Sequence, residues 1–541
     1  MNVIDPKSSK GSWHVIVWVL AAFVVIPLVT IFSSFLTPEK DIWAHLATTL
    51  LPELLLNTLI LVVGVASFTA VLGVSLGWFT GICDFPGRRF FSWALALPMA
   101  LPAYVMAFIF LGIMDFSGPL QGFMRTFPGL ETYMIEVRKA PFVIIVLGLT
   151  LYPYVYLLSR ASFMNQGSAM FEASRTLGLN PTQAFFKVAL PISRPWIVSG
   201  LALVLMETLA DFGAVSIFNY DTFTTAIYKS WFGFFSIAAA AQLSSILVVL
   251  AFSLLLLEGV YKSRMRYYDS SRGGPTLVRL RLRGWRAAAV TAYCSIVLGV
   301  AFIVPLGQLI VWSVEMIQGG EGGTYFKYIV RTLILGASAA FLICCVSVLL
   351  SYAKRRNGSK INRFLCRLAT IGYALPGTVL AVGIVLPLVW CDNLLQQIIF
   401  LVVHVETGPL FQGTVLVMLG AYLVRFLAVG FSSVDSAMQN IKPSLDEAAA
   451  IFGKTGLQTL TIIHFPLLQK GLFTALVLVV VDVIKEMPIT LMMRPFGWDT
   501  LAVKIYELTS EGEWVRAALP GLYLVLAGMI PVFIFIRKME K

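Results

Sequence analysis

The sequence predicts an all-α membrane protein that crosses the bilayer about twelve times, as two parallel repeats of six helices. Composition, the number of apolar segments and an internal repeat predict this fold class. Hydrophobic residues make up 58% of the 541-residue chain and charged residues only 13%, whereas soluble domains carry about 25% charged residues. About twelve apolar segments reach the roughly twenty residues that a transmembrane helix needs.

The apolar segments define the predicted spans. The segment 394–403 is apolar but too short to cross the bilayer, so we predict a re-entrant or interfacial piece there. The spans are predicted near residues 14–36, 56–82, 92–114, 141–163, 196–218, 237–261, 287–313, 331–353, 368–390, 411–433, 471–492 and 515–537.

An internal repeat divides the chain into two halves. One motif occurs twice, 275 positions apart (447 − 172), and in each copy a glycine follows the glutamate by six residues and a proline follows it by nineteen. Other segments match at offsets of 274 to 278, so the halves align almost without gaps. The copies read Glu172-Ala173-Ser174 with Gly178 and Pro191, and Glu447-Ala448-Ala449 with Gly453 and Pro466.

The repeat sets the predicted domain organisation. We predict a first half at 1–265, a basic linker at 266–286 and a second half at 287–541. Each half holds six spans, and an even number gives the second half the orientation of the first. The repeats are then parallel, related by a pseudo-twofold axis along the membrane normal, and a pathway on that axis is expected.

Positive charge predicts the orientation. Lys and Arg concentrate near both termini and in the segments 262–286 and 354–367. They fall on one side of the membrane if both termini are cytoplasmic, as the positive-inside rule requires. Most remaining acids, Asp392 and Glu406 among them, are expected in the opposite loops. The net charge of +12 is thus a topology signal, and its spread through short membrane-flanking loops argues against nucleic-acid binding.

Each copy of the motif lies in a polar stretch, near 165–195 and 440–470. Glu and Ala are strong helix formers, and a glycine can adopt the positive φ that ends a helix. We predict a short helix that ends near the glycine, then a second helical stretch up to the proline, where the next span begins. Such a pair could enter a groove on a partner or merely cap the bundle. Two copies at matched spacing on the cytoplasmic side favour docking.

The spacing Glu-Ala-Ala, three residues, Gly, nine residues, Ile-x-Leu-Pro resembles the coupling motif of permease subunits of binding-protein-dependent ABC importers. Three positions depart from it, namely Ser174, Val188 and Phe465. The resemblance covers essentially the whole chain as two fused halves. It implies a type I ABC importer permease fold in a bacterial inner membrane. It assigns ATPase coupling to Glu172, Ala173, Gly178, Glu447, Ala448 and Gly453.

The resemblance also implies partners. Each motif would dock into a cleft on a cytoplasmic ATPase subunit, expected in two copies, and a periplasmic or extracellular binding protein would deliver the substrate. The sequence contains no GxxxxGK(S/T) phosphate loop, so we expect this chain to be a transport subunit and not an enzyme. ATP and Mg are expected on the partner ATPase, and no cofactor is expected on this chain.

Flanking residues narrow the resemblance to fused permeases of ferric-iron importers, to which fused thiamine and phosphonate importer permeases are related. The implied function is import of ferric iron by alternating access, with thiamine or a phosphonate as the alternative substrate. The segments that carry this resemblance include Glu207-Thr208-Leu209-Ala210-Asp211-Phe212-Gly213 and Lys485-Glu486-Met487-Pro488.

The position and chemistry of four acidic residues predict, independently of the resemblance, that they contact a cation. Glu207 and Asp211 lie four residues apart, on one helix face, and Asp482 and Glu486 repeat that spacing 275 positions later. Glu207 is about eleven residues into its span, or roughly 16 Å, which is near the bilayer midplane. Intramembrane acids face a cavity, a partner or an ion path, and hard cations prefer oxygen ligands. We predict that the four acids line the ferric-iron path.

The same acids have a structural alternative. Gly213 and Pro488 predict that the helices break beside them, so the carboxylates could cap helix ends or hold a gate. Lys485 could instead neutralise Asp482 or Glu486.

Two other function classes fit less well. A twelve-span secondary transporter has similar hydropathy but needs no matched pair of cytoplasmic motifs. An intramembrane enzyme needs a nucleophile–base set or a metal motif, and the four histidines are too scattered for either. The six cysteines show no disulfide or zinc spacing. We expect His404 and Glu406 at the outer surface and local packing for His464. We expect Tyr152, Tyr154 and Tyr156 to be interfacial or packing aromatics and not ligands.

Overall fold

The computed structural model describes residues 8–36, 43–44, 46–116, 118–127, 136–165, 174, 176, 178–263, 279–320, 322–454 and 456–539. Over these residues, 12 helical segments are long and apolar enough to cross a membrane. This confirms the predicted number of spans and the all-α fold class.

The helices are numbered in chain order. The first part of the chain forms α1 (Ser8–Ser33), α2 (Leu51–Ile82), α3 (Arg88–Ala94), α4 (Ala103–Met114), α5 (Pro119–Met124), α6 (Ala140–Asn165), α7 (Pro181–Ala184), α8 (Leu190–Ala210), α9 (Gly213–Ile217), α10 (Phe223–Phe232) and α11 (Ile237–Ser263). The second part forms α12 (Trp285–Leu298), α13 (Val304–Gln318), α14 (Phe326–Arg356), α15 (Lys360–Ala369), α16 (Gly377–Val403), α17 (Val415–Gln439), α18 (Pro443–Ile451), α19 (Gly456–Thr459), α20 (Phe465–Lys485), α21 (Pro488–Met493), α22 (Leu501–Ser510) and α23 (Trp514–Met539). Two short strands, β1 (Cys83–Asp84) and β2 (Leu280–Arg281), pair in parallel.

Proline sets the start of two equivalent spans. The predicted spans 92–114 and 368–390 are each interrupted, because α4 and α16 begin directly after Pro102 and Pro376. Both prolines have extended backbone, with ψ of 145° and 143°, and a short 3₁₀ turn precedes each. A proline disfavours helix at the residue before it and has no N–H to continue one, so each helix starts after its proline.

The prediction of a separate re-entrant piece at 394–403 is wrong, because these residues are the last turns of α16. Asp392, expected in an outer loop, lies inside the same helix and is fully buried. Its carboxylate accepts hydrogen bonds from the backbone N–H groups of Leu410, Phe411 and Gln412, at 3.1, 2.9 and 3.0 Å. The loop after α16 therefore folds back onto the helix, and this buried carboxylate fixes it there.

Prolines also account for the π-helical turns of the described helices, each of which ends two residues before a proline. A proline ring clashes with the carbonyl four residues earlier, so the turn before it widens. In the repeated motifs the helix runs on through Pro191 and Pro466, and the spans begin at Thr182 and Gly456, not at the proline as predicted. The π turns are Leu46–Leu50, Phe185–Ala189, Gly299–Ile303 and Leu460–His464.

Tertiary contacts divide the chain into two compact units, named here the N-repeat unit and the C-repeat unit. The predicted halves are defined by the sequence duplication, whereas the units are defined by tertiary contacts. The two divisions therefore assign some helices differently, α1 and α23 among them. The N-repeat unit comprises Leu46–Thr225, Val249–Gly322 and Ile505–Lys541, and the C-repeat unit comprises Met1–His45, Ala226–Val248 and Gly323–Lys504, in their described parts.

The C-repeat unit contains a helix from the start of the chain. Helix α1 packs on α14, α15 and α16. The hydroxyl of Thr30 donates to the Gly383 carbonyl at 3.0 Å. A Cβ at Gly383 would lie 2.7 Å from the Ile31 side chain, so only glycine permits this close approach of α1 and α16.

The N-repeat unit is built around the pair of α2 and α6. A Cβ at Gly73 would lie 2.6 Å from Val155 of α6, so glycine allows the two helices to meet closely. Tyr152 and Tyr156 of α6 are fully buried, and their hydroxyls donate to the backbone carbonyls of Leu95 and Ser92, both at 2.9 Å. The prediction of a packing role is confirmed for these two tyrosines.

Candidate coupling loops and the acids at the helix breaks

The second repeated motif forms the predicted short helix. Helix α18 contains Glu447 and Ala448 and gives way at Phe452 to Gly453, whose φ is 67°. The Lys454 N–H donates to the Ala449 carbonyl at 3.0 Å, five residues back. This is the hydrogen bond of a glycine C-cap, so the predicted helix stop at the glycine is confirmed in this copy.

The first motif shows the same cap where the structure describes it. Gly178 has a φ of 74°, and the Leu179 N–H donates to the Ser174 carbonyl at 3.0 Å. These positions lie 275 residues before their counterparts in the second motif. Glu172 and Ala173 lie outside the described residues. We refer to the described residues of 174–189 and 443–464 as the first and second docking loops, after the docking role that the sequence predicts for them.

An arginine fixes the second docking loop to α14. The Arg355 guanidinium donates to Asp446 of α18 from Nε at 2.8 Å and from Nη2 at 2.6 Å. It also donates to the backbone carbonyls of Met438 and Ile441, at 2.8 and 2.9 Å. One side chain thus joins the end of α17 to the residue directly before Glu447, and charge-assisted bonds of this kind are among the stronger ones.

A buried histidine completes this contact. His464 is fully buried, and its Nε2 lies 2.7 Å from Oδ1 of Asp446. The Tyr352 ring packs edge-on against the imidazole at 5.4 Å, and the Tyr352 hydroxyl donates to the Gly456 carbonyl at 2.7 Å. The expectation that His464 packs locally is confirmed. The set of Arg355, Asp446 and His464 was not found by sequence reasoning, although a basic run at the end of an apolar span was a visible signal.

The first docking loop is held by aromatic packing. The buried Trp78 ring of α2 lies 4.8 Å from the Phe185 ring and 5.5 Å from the Phe163 ring, both edge-on. The loop starts its helix with a capping box, in which the Gln183 N–H donates to Asn180 Oδ1 at 2.8 Å and the Asn180 N–H donates to Gln183 Oε1 at 3.2 Å. Aromatic packing and local capping therefore stabilise the first docking loop, whereas ionic contacts stabilise the second.

The first pair of acids lies where a span breaks. Helix α8 ends at Ala210, and Asp211 Oδ1 accepts the N–H of Val215 at 3.1 Å, at the start of α9. The Thr224 hydroxyl donates to the Asp211 carbonyl at 2.7 Å. Glu207 lies on the last turn of α8, half-buried. The predicted break beside Gly213 is confirmed, and Asp211 caps the helix that follows it.

The second pair lies at the equivalent break. Helix α20 ends at Lys485, and Glu486 Oε1 accepts the N–H of Ile489 at 3.2 Å, at the start of α21. Glu486 Oε2 lies 3.2 Å from Nε of Arg425 in α17, with both side chains buried. Half-buried Asp482, one turn earlier, interacts electrostatically with Lys485. The break beside Pro488 is confirmed.

Arg425 is a further residue that sequence reasoning missed. An arginine in the middle of the apolar span 415–439 was the available signal, because such residues pair with an acid inside the protein.

Among the described residues, no group of three or more His, Cys, Asp or Glu side chains has the geometry of a metal site. Exposed His404 ends α16 with a φ of 56°, and Glu406 is exposed beside it.

A comparison with known protein families supports the division of the sequence into two repeats. The family model of the binding-protein-dependent transport system inner membrane component matches residues 73–267 and again residues 333–540. The two matches together cover more than half of the chain, one in each sequence half.

Relatives named for ferric transport match across both repeats. The chain is 26% identical over 487 residues to the Fe(3+)-transport system permease protein FbpB 2 of Haemophilus influenzae, covering 89% of each chain. It is 22% identical over 555 residues to the ferric transport system permease protein FbpB of Actinobacillus pleuropneumoniae, covering 97% of this chain and 77% of the relative. A Salmonella typhimurium permease, PhnV, whose name provisionally assigns it to 2-aminoethylphosphonate transport, is 26% identical over 274 residues, 48% of this chain and 95% of its own.

The helical architecture, the paired glycine caps and the double family match agree with one another. Twelve apolar helices place the chain in the inner membrane as a multi-pass transport subunit. The chain therefore belongs to the family of inner-membrane components of binding-protein-dependent transport systems, as an ABC importer permease whose two halves are fused in one polypeptide.

Proposed function

We propose that this permease carries ferric iron across the inner membrane, driven by ATP hydrolysis in separate partner subunits. The carrying observation is similarity over 89% of each chain to the Haemophilus influenzae permease named for Fe(3+) transport. A second relative named for ferric transport matches 97% of this chain. The relative named for phosphonate transport matches only 48% of it, so a phosphonate is the second candidate substrate. Family membership removes the secondary transporter from consideration.

The surface of the second docking loop supports a coupling role. Glu447 is exposed, and the two residues at the end of its helix, Ile451 and Phe452, are 84% and 80% exposed. A carboxylate beside apolar side chains on a short helix suits a groove on a partner protein. A Cβ at Gly453 would meet nothing within 4 Å, so a partner backbone can approach closely there. We assign ATPase coupling to Glu447, Ala448 and Gly453 and, through the repeat, to Glu172, Ala173 and Gly178.

The proposed cycle needs partners on both faces. Both termini and both docking loops face the cytoplasm in this proposal, in keeping with the distribution of Lys and Arg. Two ATPase subunits bind ATP and Mg and engage the loops. ATP binding opens the permease outward, a periplasmic binding protein releases its substrate, and hydrolysis restores the inward-facing state. The predicted halves at 1–265 and 287–541 are the units of duplication in this scheme.

The acids divide into two proposed roles. Asp211 and Glu486 each cap the short helix after a break, so we propose that they hold the shape of the gate. Glu207 and Asp482 lie one turn earlier and are half-buried, so we propose that they contact the cation along the substrate path. The double variant Glu207→Gln with Asp482→Asn should lower iron uptake at unchanged protein level. Unchanged uptake would remove the proposed contact with the ion.

Radiolabelled ferric-iron uptake tests the substrate. We expect uptake in cells that produce the protein, none above background in cells that lack it, and no competition by excess thiamine or 2-aminoethylphosphonate. Uptake that does not depend on the protein, with labelled phosphonate entering instead, would reject iron and retain the permease.

Charge reversal tests the coupling. The double variant Glu172→Arg with Glu447→Arg should reach the membrane at normal level and lose transport, because a cation replaces the polar anchor of each loop. The matched control is Lys360→Glu with Arg363→Glu, two exposed charges of α15 on the same predicted face and outside the docking loops. Wild-type transport in the double variant, or equal loss in the control, would reject the assignment.

A further inference from the structure

A basic pocket of about 610 Å³ lies in the N-repeat unit, where the span Leu46–Ile82 ends and the span Trp285–Gln318 begins. Four guanidinium groups and one carboxylate line it, which leaves a net formal charge of +3. The lining residues are Asp84, Phe85, Gly87, Arg88, Arg89, Arg279 and Arg281.

The backbone around the pocket is fixed by hydrogen bonds. Strands β1 and β2 pair in parallel, and the Leu282 N–H donates to the Asp84 carbonyl at 3.0 Å. The turn that follows β1 has Gly87 at a φ of 77°. The Thr291 hydroxyl of α12 donates to the Pro86 carbonyl at 3.2 Å, which ties this turn to the helix. Arginines from two distant parts of the chain are thereby held in one place.

The positive charge in the pocket is only partly compensated. The Arg88 side chain is 13% exposed, and Nε of Arg88 lies 3.5 Å from Oδ1 of Asp84, whose own side chain is 50% exposed. The buried Nε of Arg279 makes no hydrogen bond within the described part of the chain. Burial and the neighbouring Arg279 lower the pKa of the Arg88 guanidinium from its usual value. Like charges held close together are unfavourable, and a bound anion would relieve this.

We propose that this pocket binds a phosphate group, with Arg88 and Arg279 as its principal contacts. The planar guanidinium fork matches phosphate oxygens, and four such groups in one pocket exceed what Asp84 can neutralise. The pocket lies at the membrane boundary, and the nearby residues Phe90 and Trp285 are 48% and 76% exposed, as aromatic side chains at the headgroup level are. The phosphate belongs to an anionic phospholipid or to a soluble phosphate compound, and the site is independent of the transported substrate.

Lipid binding by the purified full-length protein tests the proposal. Delipidated protein in a neutral detergent would be titrated with phosphatidylglycerol or phosphatidylcholine and examined by native mass spectrometry, with inorganic phosphate as competitor. We expect one phosphatidylglycerol to bind, at least about tenfold more tightly than phosphatidylcholine. The variant Arg88→Gln with Arg279→Gln should lose at least about tenfold in affinity. The charge-matched control is Arg363→Gln with Arg367→Gln, two exposed arginines of α15.

The outcomes distinguish the sources of the phosphate. Selective phosphatidylglycerol binding that inorganic phosphate displaces supports a lipid headgroup, and phosphate binding without lipid selectivity supports a soluble ligand. Equal binding by wild type and pocket variant, or equal loss in the control, overturns the proposal. If the double variant does not purify as a single species, Arg89→Gln with Arg281→Gln removes two exposed pocket charges and should weaken binding in the same direction.

Discussion

The described residues of the two docking loops share a glycine cap and a π turn and differ in the contacts that hold them. Each cap has a glycine of positive φ, and each loop enters the next span through its π turn. The second loop is fixed by Arg355, Asp446 and His464. At the offset of the repeat, the first loop has Ala189 where the second has His464, and it relies on the buried Trp78. Duplication has thus kept the glycine cap and the π turn, while the supporting contacts have diverged.

The two helix breaks also differ in what supports them, with the ionic contact again in the second repeat. Asp211 and Glu486 occupy equivalent positions and accept a backbone N–H from the helix that follows. Of these two acids, only Glu486 has an arginine described as its ion-pair partner, namely Arg425. At an offset of 275 positions, the residue of the first repeat that corresponds to Arg425 is Thr150. In the described residues, the second repeat therefore depends on ion pairs at two sites where the first depends on packing and backbone hydrogen bonds. Substitutions at equivalent positions should show unequal effects.

The largest difference is expected at the helix breaks. Arg425→Ala leaves the buried Glu486 carboxylate without its guanidinium, and breaking a buried pair in this way costs about 3–5 kcal/mol of unfolding free energy. Thr150→Ala, the equivalent change in the first repeat, should cost less than about 1 kcal/mol, because it removes one hydroxyl bonded to its own helix. Denaturant unfolding of the purified variants measures both, and equal losses would mean that the two breaks are supported alike.

A smaller effect is expected at the second docking loop. Arg355→Ala should destabilise the loop by about 1–3 kcal/mol, with the ion pair discounted because the Asp446 side chain is 31% exposed. Amide hydrogen exchange should rise in 443–464 and stay unchanged in 178–189. The control is Arg363→Ala, an exposed arginine of the same unit. Exchange that rises equally in both loops would contradict separate support.

The smallest difference between the loops is expected at their glycine caps. Gly178→Ala and Gly453→Ala each place a side chain at positive φ, which costs about 1 kcal/mol. A Cβ would meet nothing within 4 Å at either position, so the cost is conformational and should be equal in the two loops. Thermal unfolding of the two single variants makes the comparison. A loss confined to one loop would show that the caps have diverged as well.

Much of the architecture could be predicted from the sequence because its signals are local. Apolar segments predicted the twelve spans, and Gly178, Gly453, Gly213 and Pro488 predicted where helices end. The error at 394–403 has a distant cause, since Asp392 reaches the backbone of a loop about twenty residues later. Length alone could not indicate that these residues continue a helix.

The ionic contacts lay beyond sequence reasoning for a related reason. Arg355 and Asp446 are 91 positions apart, and Arg425 and Glu486 pair across two helices. A repeat search finds what the two halves have in common, and these pairs occur in one half only. The packing of α1 on α16 was equally hidden, because hydropathy predicts that a helix spans the membrane but not which helix it contacts.

The π turns before Pro191 and Pro466 have a geometric consequence for transmission of force. A π turn holds about one residue more than an α turn, and each residue of an α-helix advances the helix by about 100° around its axis. Conversion of either π turn to α geometry would therefore rotate the docking loop by roughly that angle about the axis of the span that follows it. A force on the docking loop would then twist the chain at the π turn, and the span that follows would keep its own rotational orientation.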